Sequence, residues 1–273
     1  MVNMGNVWDR TTEFLSENMR ALLPVILLAF LIPHTVNTLI KGAAPAVPSA
    51  LAQGIALICG LIAIWGQLVV IALAFAPDGG RSRAISTATG SLGRAVGAML
   101  ILLAATAVLA VPVIATLVAN GVDLSTFGSG GMAQANLSGA ASVFVSLYSL
   151  VLGIVVLVVA VKLALLYPVV VAEGGVAAAI KRAWALSRGI VWKMIGVWLL
   201  FVIVYFVALA AITSGIGTVI GLFADMQNPF SVGRIVVAIL GGAVTAAFTL
   251  IVAAFSAQLY RAVTGRQQGV PAA

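Results

Sequence analysis

The chain has 273 residues, 63% of them hydrophobic and 8% charged, with a mean hydropathy of +1.21. A soluble chain carries about 25% charged residues, so composition excludes a water-soluble domain of this length. Continuous apolar runs, each able to cross a ~30 Å hydrocarbon layer as a helix, also exclude a barrel of short alternating strands.

Net charge is +7, from 14 Lys and Arg against 7 Asp and Glu. In a membrane chain such an excess reflects the positive-inside rule, not a nucleic-acid partner.

Residues 1–20 form the first predicted element. In NVWDRTTEFLSENMRALLP, Val7, Trp8, Thr11, Phe14, Leu15, Met19 and Leu22 recur at three-to-four spacing. That period predicts an amphipathic helix, capped by Asn6, lying on the inner leaflet and leading into the first span. Asp9, Glu13 and Glu17 argue against a cleavable signal peptide, so the first span is expected to stay as an anchor.

Six spans follow, at about 21–40, 50–76, 95–119, 140–172, 191–223 and 234–258, with a tail at 259–273. Pro24, Pro33, Pro112 and Pro168 are expected kink or end points. His34 follows Pro33 near the far end of the first span, with Thr35, Asn37 and Thr38 beyond it. No Cys, carboxylate or second His is near it in sequence, so the spacing predicts no metal site. A proton relay and a kinked, partly wet helix end are both open for it. Cys59, the sole cysteine, cannot form an internal disulfide.

Between the third and fourth spans, residues 120–139 are rich in Gly and Ser without a cation and predict a flexible external loop. The Asn136-Leu137-Ser138 sequon in it is too short a match to carry weight.

Lys162 lies in the fourth span, eleven residues and about 16 Å of helix before Glu173. Either it snorkels to the interface, or it faces a polar cavity, since burial alone costs about 2.5–3.5 kcal/mol on insertion scales. A faint repeat bears on this. DGGRSRAI at 78–85 matches EGGVAAAI at 173–180, and Gly97 matches Gly196 after a shift of four. The spans before and after each match form a duplicated hairpin, and the alignment sets Gln67 opposite Lys162. Gly93/Gly97 and Gly217/Gly221 have the spacing of close helix approach, though 28 glycines make such matches expected by chance.

The densest constellation runs from Glu173 to Leu200. Lys181, Arg182, Arg188 and Lys193 are interleaved with Trp184, Trp192 and Trp198. A helix over about 177–188, closed by Gly189, would set cations and indoles at a membrane interface. Each cation near an anionic leaflet contributes about 1 kcal/mol. The segment is therefore either a topology determinant or a site for anionic headgroups or a partner protein. Glu173 is placed to cap this helix or to pair with one of its cations.

Orientation follows from counting. With the termini cytoplasmic, 11 cations fall on inner segments and only Lys41 and Arg234 on outer ones, Lys162 being within a span.

The run LLYPVVVAEGGVAAAIKRAWALSRGIVWKMIGVWLL resembles the membrane-domain family of glycerophosphodiester phosphodiesterases and related bacterial inner-membrane proteins. Pro168, Glu173, Gly174, Lys181, Arg182, Trp184, Leu186, Ser187, Arg188, Gly189, Trp192, Lys193 and Gly196 carry the resemblance, and FLSENMRALLP and QLYRAVTGR are similar at the two ends. It implies a six-span module. In members with a fused catalytic barrel, activity uses paired His and several carboxylates around a metal. One His and seven acids do not supply that set.

The expectation is an all-α, six-span polytopic bundle in a bacterial inner membrane. It has cytoplasmic termini, an N-terminal and a central interfacial helix, and no cofactor. Its expected role is non-enzymatic contact with anionic lipid or a membrane-protein partner, a second copy included. The alternative is a permease-like protein with a polar cavity at Lys162 and Gln67.

Overall fold

The computed structural model describes residues 3–43, 47–122, 138–224, 228 and 230–267. Most of the expected loop at 120–139, with Asn136 and Leu137, lies outside the described residues. Every regular element among them is helical. Six stretches are long and apolar enough to cross a membrane: Met4–Gly42, Ser49–Phe75, Pro77–Ala119, Gly139–Ala172, Val191–Gly221 and Val232–Gly265. The chain is an all-α polytopic bundle.

The first stretch runs without interruption through α1 (Met4–Val25), a π-helical turn (Ile26–Leu31) and α2 (Ile32–Gly42). Pro33 has no N–H for the Ala29 carbonyl, and its ring crowds that group. Widening the helix just before the proline relieves the crowding. Asn3, not Asn6, is the cap. Its side chain accepts from the Gly5 N–H at 2.9 Å, and its carbonyl takes the Val7 N–H, so the helix starts a turn earlier than the periodicity suggested. Val7, Thr11, Phe14 and Leu22 are buried. The amphipathic stripe is thus covered by protein, chiefly by α10 (Val232–Gln267). Asp9, Glu13 and Glu17 lie on the exposed side.

Next come α3 (Ser49–Phe75), a 3₁₀ turn (Pro77–Gly79) and α4 (Gly80–Ala119). α4 begins far before the span expected at 95 and carries Pro112 inside it. Its first half buries Ala84, Ala88, Ser91, Ala95 and Ala98, a stripe of small residues at helical spacing. The fourth stretch breaks into α5 (Gly139–Lys162) and α6 (Leu166–Ala172). The break falls at 163–165 because Pro168 withholds its N–H from Ala164 and its ring displaces that carbonyl. α7 (Val176–Leu186) follows a Gly174–Gly175 turn. Then come α8 (Val191–Ala210), a second π-helical turn (Ala211–Ile216), α9 (Gly217–Gly221) and α10.

Packing is concentrated at the end of the bundle that carries the first and last described residues. In α3, Leu68, Val69, Val70, Ile71 and Leu73 are at most 1% exposed, whereas Leu57 is 71% exposed toward the opposite end. The same core takes in Ala84–Ala98 of α4, Val161–Val170, Ala179, Ala183, Met194 and Leu250–Val263. The middles of α5 and α8 stay uncovered by protein.

The duplicated hairpin has a structural echo. Gly80 and Gly175, equivalent in the repeat, both open a helix at positive φ, +66° and +74°. The four-residue shift has a location too. α4 runs on unbroken, while its counterpart is interrupted by the turn at 187–190 that separates α7 from α8.

Candidate functional site

The break after α5 organises the first group of side chains. Leu166 turns its N–H to the Leu163 carbonyl at 2.8 Å, so the Lys162 carbonyl lacks its usual helical donor. The Ser187 hydroxyl reaches it at 2.6 Å from the C-terminus of α7 and lies 2.8 Å from the Ala183 carbonyl. That bond docks α7 against the break. It also sets Trp184 beneath Lys162, whose Nζ lies 3.9 Å from the indole centroid, a geometry in which the ring quadrupole attracts the ammonium. The half-buried Lys162 has turned onto protein. Among the described residues no hydrogen bond joins it to Gln67, which is half-buried on α3.

Glu173 ends α6 and is the second centre. It pairs with Arg182 at 3.2 Å and accepts a hydrogen bond from the Tyr260 hydroxyl at 2.9 Å. It does not cap α7, because Gly175 holds that position and sets the helix start. Tyr260 packs against Phe75 with the rings tilted and their centroids 5.4 Å apart. The neighbouring Arg261 donates to the Ala74 carbonyl at 3.1 Å, covering the exposed C-terminus of α3. Arg94 lies across the glycine turn. A Cβ at Gly174 would meet its Cζ at 3.6 Å, and its Nη2 donates to Ser91 at 3.1 Å. The α6, α7 and α10 helices are therefore tied at one end through one carboxylate, and Arg261 extends the tie to α3.

The basic segment divides in two. Arg182 and Trp184 face the bundle in the contacts just described. Lys181, Arg188, Trp192 and Lys193 are exposed, with Trp192 85% so. Gly189 has φ +85° in the turn between α7 and α8, a conformation that favours glycine. This turn points Arg188 outward between the two helices. Three exposed cations and an exposed indole within residues 181–193 suit phosphate oxygens by charge and the headgroup layer by an aromatic body. Pro168 is buried in α6 and acts through the break it causes.

His34 lies apart, on α2 near the opposite end, with Nε2 3.5 Å from the Thr245 hydroxyl. Among the described residues no cluster of three or more His, Cys, Asp or Glu could hold a metal. Sequence reasoning did not single out Ser187 beyond its place in the motif, nor Tyr205, Thr245, Tyr260 or Arg261. Tyr260 and Arg261 stand in the QLYRAVTGR segment, so a polar pair at the end of the last span was the available signal. Compared with protein-family models, curated proteins and solved structures, the chain matches none.

Proposed function

We propose that the chain is a non-enzymatic integral membrane module that engages anionic lipid headgroups through Lys181, Arg188, Trp192 and Lys193, with this end of the bundle toward the cytoplasm. The observation that carries the reading is the exposure of Trp192, at 85%, together with three exposed cations in the same segment, Lys181, Arg188 and Lys193. A side chain as apolar as Trp finds its favourable environment in the interfacial layer of a bilayer. The cations next to it then meet lipid phosphates. The family resemblance in this segment supports a membrane module in the same way, and phosphodiesterase chemistry is no part of the proposal.

The test is mass spectrometry of lipids retained after extensive detergent exchange, comparing wild type with Lys181→Gln/Arg188→Gln/Lys193→Gln. Arg182 stays unchanged because it pairs with Glu173. At about 1 kcal/mol per cation, removing three weakens retention of an anionic class by up to about a hundredfold. Equal and unselective lipid retention by both proteins overturns the proposal and leaves the segment as a topology signal.

A further inference from the structure

Lys162 carries its ammonium inside a membrane-spanning stretch, Gly139–Ala172, where a charge is costly unless an opposite charge or a polar group meets it. The residue is half-buried. The Trp184 ring attracts it from one side. Its three N–H donors meet no oxygen acceptor among the described residues, and Glu173 is taken by Arg182 and Tyr260.

Ala164, two residues on in the break, lines an open recess of about 320 Å³ between α8 and α10. α8 supplies Val197 and Phe201 to it, and α10 supplies Val252, Phe255 and Leu259. Ser256 stands in the same lining but spends its hydroxyl on the Ala253 carbonyl at 2.9 Å, which leaves the recess apolar. From Leu259 to Val252 the lining extends about 10 Å along the helix.

Size selects the occupant. Phe201 and Phe255, one from each helix, meet edge to face with centroids 5.8 Å apart. A helix about 10 Å across does not enter between walls that touch, whereas one hydrocarbon chain lies along them.

Charge selects the head. Lys162 precedes Ala164 at the break, and Lys193, exposed on α8, stands one turn before Val197 on the same helical face. An apolar recess whose lining segments adjoin ammonium groups in sequence matches an amphiphile with a hydrocarbon chain and an anionic head.

We propose that one anionic phospholipid of the surrounding bilayer is held here, with an acyl chain in the α8–α10 recess and its phosphate on the Lys162 ammonium. The inference rests on the anionic-lipid reading above and adds to it a chain site and an intramembrane counter-charge. A zwitterionic lipid, whose own ammonium competes for the phosphate, is held less well.

The full chain is reconstituted in phosphatidylcholine nanodiscs with a trace of phosphatidylglycerol bearing a diazirine on one chain. It is then irradiated and its labelled peptides are mapped. The expected label concentrates on residues 194–201 and 252–259, above that on Leu150 and Ile154, which are exposed on α5. Lys162→Met lowers the recess label about five- to tenfold and leaves the α5 label unchanged. Val197→Trp, which fills the recess and alters no charge, does the same. Label spread evenly over α5, α8 and α10 in wild type overturns the proposal. So does recess label that survives Lys162→Met in protein of native helicity, which would mean that Lys162 reaches water instead. Lys181→Gln/Arg188→Gln/Lys193→Gln separates this proposal from the surface reading. If that variant loses its anionic lipids while recess label is indifferent to Lys162→Met, the surface reading stands and this proposal falls. If recess label is lost with Lys162→Met while the triple variant keeps its anionic lipids, the surface reading alone falls.

Discussion

Ser187 is fully buried and its single hydroxyl serves the carbonyl that Pro168 indirectly orphans. Replacing it with Ala leaves the Lys162 carbonyl buried without that donor, at a cost of about 1–2 kcal/mol. The expected outcome for Ser187→Ala is a thermal midpoint in detergent several degrees below wild type, with α7 losing protection from hydrogen exchange before the spans do. Unchanged protection of α7 would show that the helix is held by its apolar face alone. The partner of this serine illustrates what a sequence can and cannot carry. Lys162 looked like an isolated intramembrane charge because Trp184 and Ser187 come after a break and a glycine turn, at separations no periodicity links. That Glu173 pairs with a cation was legible from the basic helix beside it. That Tyr260 completes the pair was not, since it lies 87 residues on.

Among the elements, the existence of the six spans was legible because the hydrocarbon layer demands about twenty apolar residues each. Their beginnings were less so. The first half of α4 is polar on average, and what buries it is a row of alanines and a serine that a hydropathy window discards. Close helix approach sets the same kind of constraint at Gly66, which faces the π-turn of the first span. A Cβ there would stand 2.5 Å from the Ala29 Cβ and 2.8 Å from the Phe30 ring, whereas one at Gly60 meets nothing within 4 Å. Gly66→Ala forces the two helices apart, an overpacking cost of about 1–3 kcal/mol. Gly60→Ala, one and a half turns earlier on the same helix, stabilises by up to about 1 kcal/mol through helix propensity. The pair is checked by unfolding both variants in the same detergent. Equal stabilities would mean that α3 does not contact the first span as closely as the structure has it.

For the whole molecule, the uneven packing and the uneven charge coincide. The end with the buried core also holds Arg94, Arg182, Arg261 and the exposed cations of the basic segment, while Lys41 and Arg234 mark the other end. A bundle so built has one end that protein packing stabilises and another whose α5 and α8 are left for lipid to cover. The charge asymmetry supports the proposed orientation: moving the cation-rich end across the membrane would carry several charges through hydrocarbon, against two for the other. The proposed orientation puts both termini in the cytoplasm, and single-cysteine labelling decides it. In a Cys59→Ala background, which removes the only native thiol, Lys41→Cys and Lys181→Cys each place a thiol on an exposed position, one at each end. A membrane-impermeant maleimide applied to intact spheroplasts should modify Lys41→Cys and spare Lys181→Cys until the membrane is opened. The reverse pattern would place the headgroup-binding surface on the outer face. The lipid proposal would then have to be made for the outer leaflet.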